Sequence, residues 1–193
     1  DVAETVADYM RVHLQNYRPE VSVIPARKKG TLNSPDNPEV LTPLLTTQAI
    51  FLGPGSPTYA VRQLKESLAW QILQARHRTG CPIIMASAAT IASSAWAIPV
   101  YEIYKVGEDL HWRKGLDLLA PYGLSPVFVP HWNNQDGGED LDTSRCYMGR
   151  ARFGPLVEML PPEATVVGID ERMGLVLDLE TGTGRTLGND GVT

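Results

Sequence analysis

The order of apolar runs along the chain predicts an α/β fold: a doubly wound, mostly parallel sheet with helices on both faces, closed by a C-terminal β-hairpin. Three observations carry this. Residues 48–52, 83–86, 125–130 and 165–169 are short, mostly apolar runs of the kind that form strands buried on both faces. Segments of helical period separate them, and that alternation places parallel strands in one covered sheet. Near the end, residues 175–179 and 185–187 flank a Thr-Gly-Thr-Gly turn, which predicts the hairpin.

Taken in order, Val2, Val6, Tyr9 or Met10, and Leu14 recur at helical spacing, so residues 3–16 are predicted as an amphipathic helix. A β-rich run at 21–25 predicts a strand. The basic Arg27-Lys28-Lys29 and the Gly, Asn, Asp and Pro of residues 30–38 predict a solvated loop. The strand at 48–52 runs into Gly53-Pro54-Gly55-Ser56-Pro57, either a plain turn or a set of free backbone amides able to receive an oxyanion. A long helix over 59–77 follows, with Val61, Leu64, Leu68, Ile72 and Ala75 on one face. Further expectations are a short helix at 88–97, a strand at 100–106, and helices at 111–119 and 153–160. The loop 133–146 is acidic, but its spacing does not match a calcium-binding loop, so a solvated insertion is expected.

With 193 residues, 43% of them hydrophobic, the chain can build one substantial core, and a single domain over 1–193 is expected. A net charge of −5 without any basic run argues against nucleic acid or an anionic membrane surface as partner. No apolar window approaches the roughly 20 residues that span a bilayer. Only two cysteines, Cys81 and Cys146, are present, which argues against a disulfide framework and for a reducing, cytoplasmic setting. The abrupt helical start at Asp1 fits a segment of a longer protein, leaving room for a further domain or a homodimer.

The chemistry gathers around residues 80–90. A turn at Gly80-Cys81-Pro82 precedes the strand at 83–86, and Ser87 stands where a helix opens. That order is the one in which a nucleophile elbow exposes a serine oxygen on a strained turn. Serine at a helix start is equally a favoured N-cap, and Met85 and Ala89 hold the two glycine positions of the elbow pattern. In an open parallel sheet, reactive groups collect beyond the carboxyl ends of the strands, where Gly55, Ser87, Glu102, His131 and Glu171 are expected. Serine needs a base, and the base a carboxylate to hold its tautomer. Ser87, His131 and one of Glu102 or Glu171 meet that need. No cofactor or metal is expected, because His13, His77, His111 and His131 show no ligand spacing.

Three stretches are similar to those of a known family: Met85-Ala86-Ser87-Ala88-Ala89-Thr90 to an elbow G-x-S-A-G-A; Val129-Pro130-His131-Trp132, then after an insertion Gly149-Arg150-Ala151-Arg152-Phe153-Gly154-Pro155-Leu156, to D-x-H-F and x-x-R-x-R-x-G-R-L; and Gly168-Ile169-Asp170-Glu171 to G-I-D-E. From about residue 21 onward the chain resembles the serine peptidases that include aspartyl dipeptidase and cyanophycinase, which are built like class I glutamine amidotransferases with a flavodoxin-like sheet. Set beside that family, the chain is expected to lack the first strand with which such domains begin. The resemblance implies Ser87 as nucleophile and His131 as base. Glu171 matches the cyanophycinase-type acid and Glu102 the dipeptidase acid, with Glu171 favoured. It further implies an oxyanion hole from the amides of Gly55 and Ala88, and Arg150 and Arg152 ordering the site or holding an acidic group of a small peptide or amide substrate. The absent glycines, Pro155 at an arginine position and the acidic insertion motivate the alternative, an inactive domain of the same build that binds a ligand or partner.

Overall fold

A computed structural model describes residues 2–189 and 191–193; Asp1 and Asp190 lie outside the described residues. In chain order it contains α1 (Val2–His13), α2 (Pro38–Leu41), β1 (Ile50–Leu52), α3 (Pro57–Leu64), α4 (Leu68–Arg78), β2 (Ile83–Met85), α5 (Ala88–Ser93), β3 (Trp96–Ala97), β4 (Arg113–Lys114), β5 (Pro126–Val129), α6 (Gly149–Glu158), β6 (Thr165–Gly168), β7 (Gly174–Asp178) and β8 (Thr183–Leu187). This is a mixed α/β chain with parallel strand pairs. It packs as two compact units, Asp1–Pro54 with Arg62–Ala86, and Gly55–Val61 with Ser87–Thr193. Among the described residues no helix is long and apolar enough to cross a membrane.

In the first unit β1 and β2 pair in parallel, Ile50 opposite Ile83 and Leu52 opposite Met85, and the Ala86 N–H extends the ladder to the Leu52 carbonyl. The helix expected over 59–77 is broken into α3 and α4. Glu66 takes a left-handed φ of 60°, and the Ser67 hydroxyl accepts the Trp70 N–H at 3.1 Å, an N-cap that starts a new helix. Asp36 Oδ1 accepts the Leu68 N–H at 2.9 Å and satisfies a second open donor of that end. The helical face buries Ala69, Trp70 and Leu73. Residues 21–25 form no strand. Asn37 caps α2 by accepting the Glu39 N–H, with Pro38 in its first turn.

The second unit is centred on β5, whose Val127 and Val129 are fully buried and pack in one cluster with Ile91, Ile98, Met148 and Leu156. β5 pairs in parallel with β6, Val129 opposite Gly168; β3 pairs antiparallel with β4, and β7 with β8 forms the expected hairpin. Two expectations here are overturned. Residues 100–106 are helical, running into a π turn at Glu102–Val106 that ends on Gly107 in the left-handed region. Val100 and Ile103 are buried while Tyr101 and Lys105 are exposed, a spacing of three that outweighed the β-propensity of Val, Tyr and Ile. Nor do residues 111–119 form a helix, because the backbone of 115–118 is bound to the end of α5. Gly115 N–H donates to the Ala95 carbonyl, Leu116 N–H to Ala92 and Leu118 N–H to Ser93. A Cβ at Gly115 would lie 1.9 Å from the Ser94 carbonyl oxygen, so glycine is what permits this approach.

Gly168, the last residue of β6, is a second such place. A Cβ there would lie 2.3 Å from the Trp132 ring, which stands edge-on to Phe153 with centroids 5.3 Å apart. Gly168→Ala is therefore expected to destabilise the fold by about 1–3 kcal/mol through overpacking. A thermal midpoint lowered by several degrees supports this, and an unchanged midpoint contradicts it.

Candidate active site

The backbone of Ser87 has φ 51° and ψ −111°, a conformation that residues with a Cβ avoid and that is found where surrounding structure holds strain. Its side chain makes no cap bond to α5. Instead Oγ lies 2.9 Å from His131 Nε2. The N-cap alternative therefore does not describe this serine. The turn is reached without the elbow glycines: Met85 sits in the β2 ladder opposite Leu52, and Ala89 is small and buried.

His131 leaves β5 with φ 55°, again left-handed, and its carbonyl accepts the Asn134 and Cys146 N–H groups. Its Nδ1 lies 3.0 Å from Glu171 Oε1. A carboxylate can only accept there, so Nδ1 carries the proton and Nε2 is left to accept from the Ser87 hydroxyl. Glu171 follows β6, and two neighbours of His131 grip it. Asn133 Oδ1 accepts the Glu171 N–H at 2.8 Å, and Asn134 Nδ2 donates to Oε1 at 2.7 Å. Asn134 is 2% exposed, and its Oδ1 accepts the Asp136 N–H, which fixes the direction of the amide. The bond from Asn134, then that from His131, holds the Glu171 carboxyl below its ordinary range.

A depressed carboxyl supports the site above the ordinary carboxylate range and loses that contribution as pH falls through the lower folded value. Asn134→Ala is accordingly expected to raise the Glu171 carboxyl and to move the loss of stability on acidification to higher pH. A stability profile unmoved by the substitution contradicts that assignment.

The remaining expected site residues fall in different places. Glu102 lies in the π turn, not at a strand end; His131 is paired with Glu171, and the buried Glu102 Oε2 makes no hydrogen bond among the described residues. Gly55 and Ala88 line the same cleft as Ser87 and His131, a space of about 360 Å³. Arg152 donates from Nε to the Met148 carbonyl and from Nη2 to that of Tyr147. These bonds brace a turn in which Arg145, Cys146 and Tyr147 are all left-handed, with φ of 53°, 57° and 67°. That turn is tied to His131 and its neighbour, since Cys146 N–H donates to the His131 carbonyl and Arg145 N–H to that of Trp132. Arg150 lines a different cavity, of about 570 Å³, with Trp132 and Asn134. Its N–H donates to Asp142, which also accepts from Ser144 N–H and Oγ, and these bonds bring the Asp142 carboxyl down to about 2. The stretch expected as a solvated insertion thus holds Asn133 and Asn134, which sequence reasoning passed over. Their position directly after His131-Trp132 was the available signal.

The geometry can be set beside solved structures. A peptidase from an acI-B1 actinobacterium matches with a TM-score of 0.71 at 18% identity, over 98% of this chain and 69% of that one. The fold is peptidase-like. A protein from Listeria monocytogenes EGD-e, provisionally described as a peptidase E, matches with a TM-score of 0.54 at 15% identity, over 79% of this chain and 65% of that one. No protein-family model matches the chain, and no curated protein does. The chain thus spans about two thirds of each of these structures, and at such identities the likeness concerns the peptidase-like fold alone.

Proposed function

We propose that the chain is a serine hydrolase of peptide or amide bonds, built on a doubly wound sheet of the class I amidotransferase type. Ser87 is the nucleophile, His131 the base and Glu171 the residue that holds the imidazole. The observation that carries this is the Ser87 Oγ to His131 Nε2 contact of 2.9 Å on a strained backbone, in place of a helix cap. In the reaction Oγ bonds to the substrate carbonyl carbon as its proton passes to Nε2, and the Glu171 carboxylate stabilises the imidazolium that forms. The carbonyl oxygen takes up negative charge beside the amides of Gly55 and Ala88. His131 then gives the proton to the leaving amine, the carbon–nitrogen bond breaks, and water repeats the sequence to free the acid.

The alternative, an inactive domain, draws support from Met85 and Ala89 at the elbow. It gives no reason for a strained serine held against a carboxylate-bound histidine. Incubation with a library of di- and tripeptide amides is expected to yield cleaved members with the intact protein and none with Ser87→Ala. Equal cleavage by that variant sinks the hydrolase reading.

A further inference from the structure

We infer that the cleft beside Ser87 takes an apolar, preferentially aromatic, side chain from the residue whose carbonyl is attacked. The inference rests on the hydrolase reading above and names its substrate class. At about 360 Å³ the cleft is of the size that holds small ligands. Ser87 lines it together with Gly55 and Ala88, so on the hydrolase reading the acyl residue of a substrate lies in or beside it.

Its walls are largely ring and hydrocarbon: Ile91, Val100, Tyr101, Tyr104 and Tyr147. The Tyr147 ring lies 6.0 Å from the His131 ring and 5.4 Å from that of Tyr104, so aromatic surface runs from the base into the cleft. Each ring is held. Arg152 lies 5.5 Å from the Tyr104 ring centre, and the Tyr147 hydroxyl donates to Asp136 Oδ2 at 2.8 Å, leaving its ring face for contact. Such preset rings favour offset or edge-on packing with another aromatic group.

The charge pattern points the same way. Among the described residues no carboxylate lines the cleft, so a buried cationic side chain would lack a counter-ion. The one lysine or arginine among the described lining residues, Lys105, is exposed and lies 4.7 Å from the Tyr101 ring centre in a cation–π contact. Arg152 has turned to backbone carbonyls and Arg150 lines the other cavity, so neither is placed to hold an acidic group here. Cys146 adds no charge, since burial pushes its thiol up to about 12.

The test compares rates of Ser87 modification by N-acetyl diphenyl phosphonates carrying phenylalanine-type, aspartate-type or lysine-type side chains, read by intact mass spectrometry. The phenylalanine type is expected to react about tenfold faster or more than either charged type. Tyr104→Ala is expected to bring that ratio close to one, and Tyr104→Phe to retain it. Should Tyr104→Ala fail to fold, the exposed Tyr101→Ala gives the same readout. A preference for a charged side chain, or a ratio unchanged in these alanine variants, overturns the inference. If neither these probes nor a small alkyl fluorophosphonate modifies the intact protein, the hydrolase reading fails instead. The cleft is then read by NMR titration with N-acetyl-phenylalanine amide: binding lost in Tyr104→Ala upholds the aromatic subsite, and no binding overturns it.

Discussion

Replacing His131 by alanine is expected to slow acylation of Ser87 on the order of 10⁴- to 10⁶-fold, the range found when the base of a serine triad is removed. The Ser87 backbone, with its φ of 51°, is expected to keep its conformation in the variant. A folded variant without reactivity is therefore the expected outcome. Circular dichroism and thermal midpoint close to those of the parent, with acylation lost, support the role of His131 as base. Acylation within about threefold of the parent rate contradicts it.

The second large effect separates two substitutions at Glu171. Alanine removes the acceptor of the Nδ1 proton and is expected to cost on the order of 10⁴-fold. Glutamine is expected to cost less, about 10²-fold, for a reason specific to this site. Asn134 Nδ2 and His131 Nδ1 both donate to Oε1, so a glutamine side chain must present its carbonyl oxygen there and its amide elsewhere. The proton then stays on Nδ1, the tautomer survives, and only the charge that stabilises the imidazolium is lost. Equal losses for Glu171→Gln and Glu171→Ala would show that Asn134 does not set the direction of the group. In an Asn134→Ala background the advantage of glutamine over alanine should disappear.

The parts of the chain legible in sequence were those where local pattern and tertiary demand agree. β5 is a continuous apolar run because it is buried on both faces, and β7 with β8 reads as a hairpin because its turn is rich in glycine. The strand at 100–106 was misread because Tyr, Ile and Val also fit a helix whose buried positions, Val100 and Ile103, lie one turn apart. That error put Glu102 near a strand end, which, beside its likeness to the dipeptidase acid, set it next to Glu171 as a candidate. The helix expected at 111–119 failed for a non-local reason, since nothing in the sequence announces that Gly115 must lie against Ser94. Ser87, His131 and Glu171, which the structure brings within hydrogen-bond distance of one another in sequence, were singled out from their positions after strands. Asn133 and Asn134 were not, because an amide in an acidic loop looks like solvated surface until its partner Glu171, just after β6, is in place.

Alkyl fluorophosphonate treatment followed by peptide mapping reads the reactivity of Ser87 itself. One adduct is expected, on Ser87, formed by the intact protein across about pH 6 to 9 and missing from His131→Ala after the same exposure. An adduct on another residue, none at any pH in that range, or equal modification of Ser87 without the imidazole contradicts it.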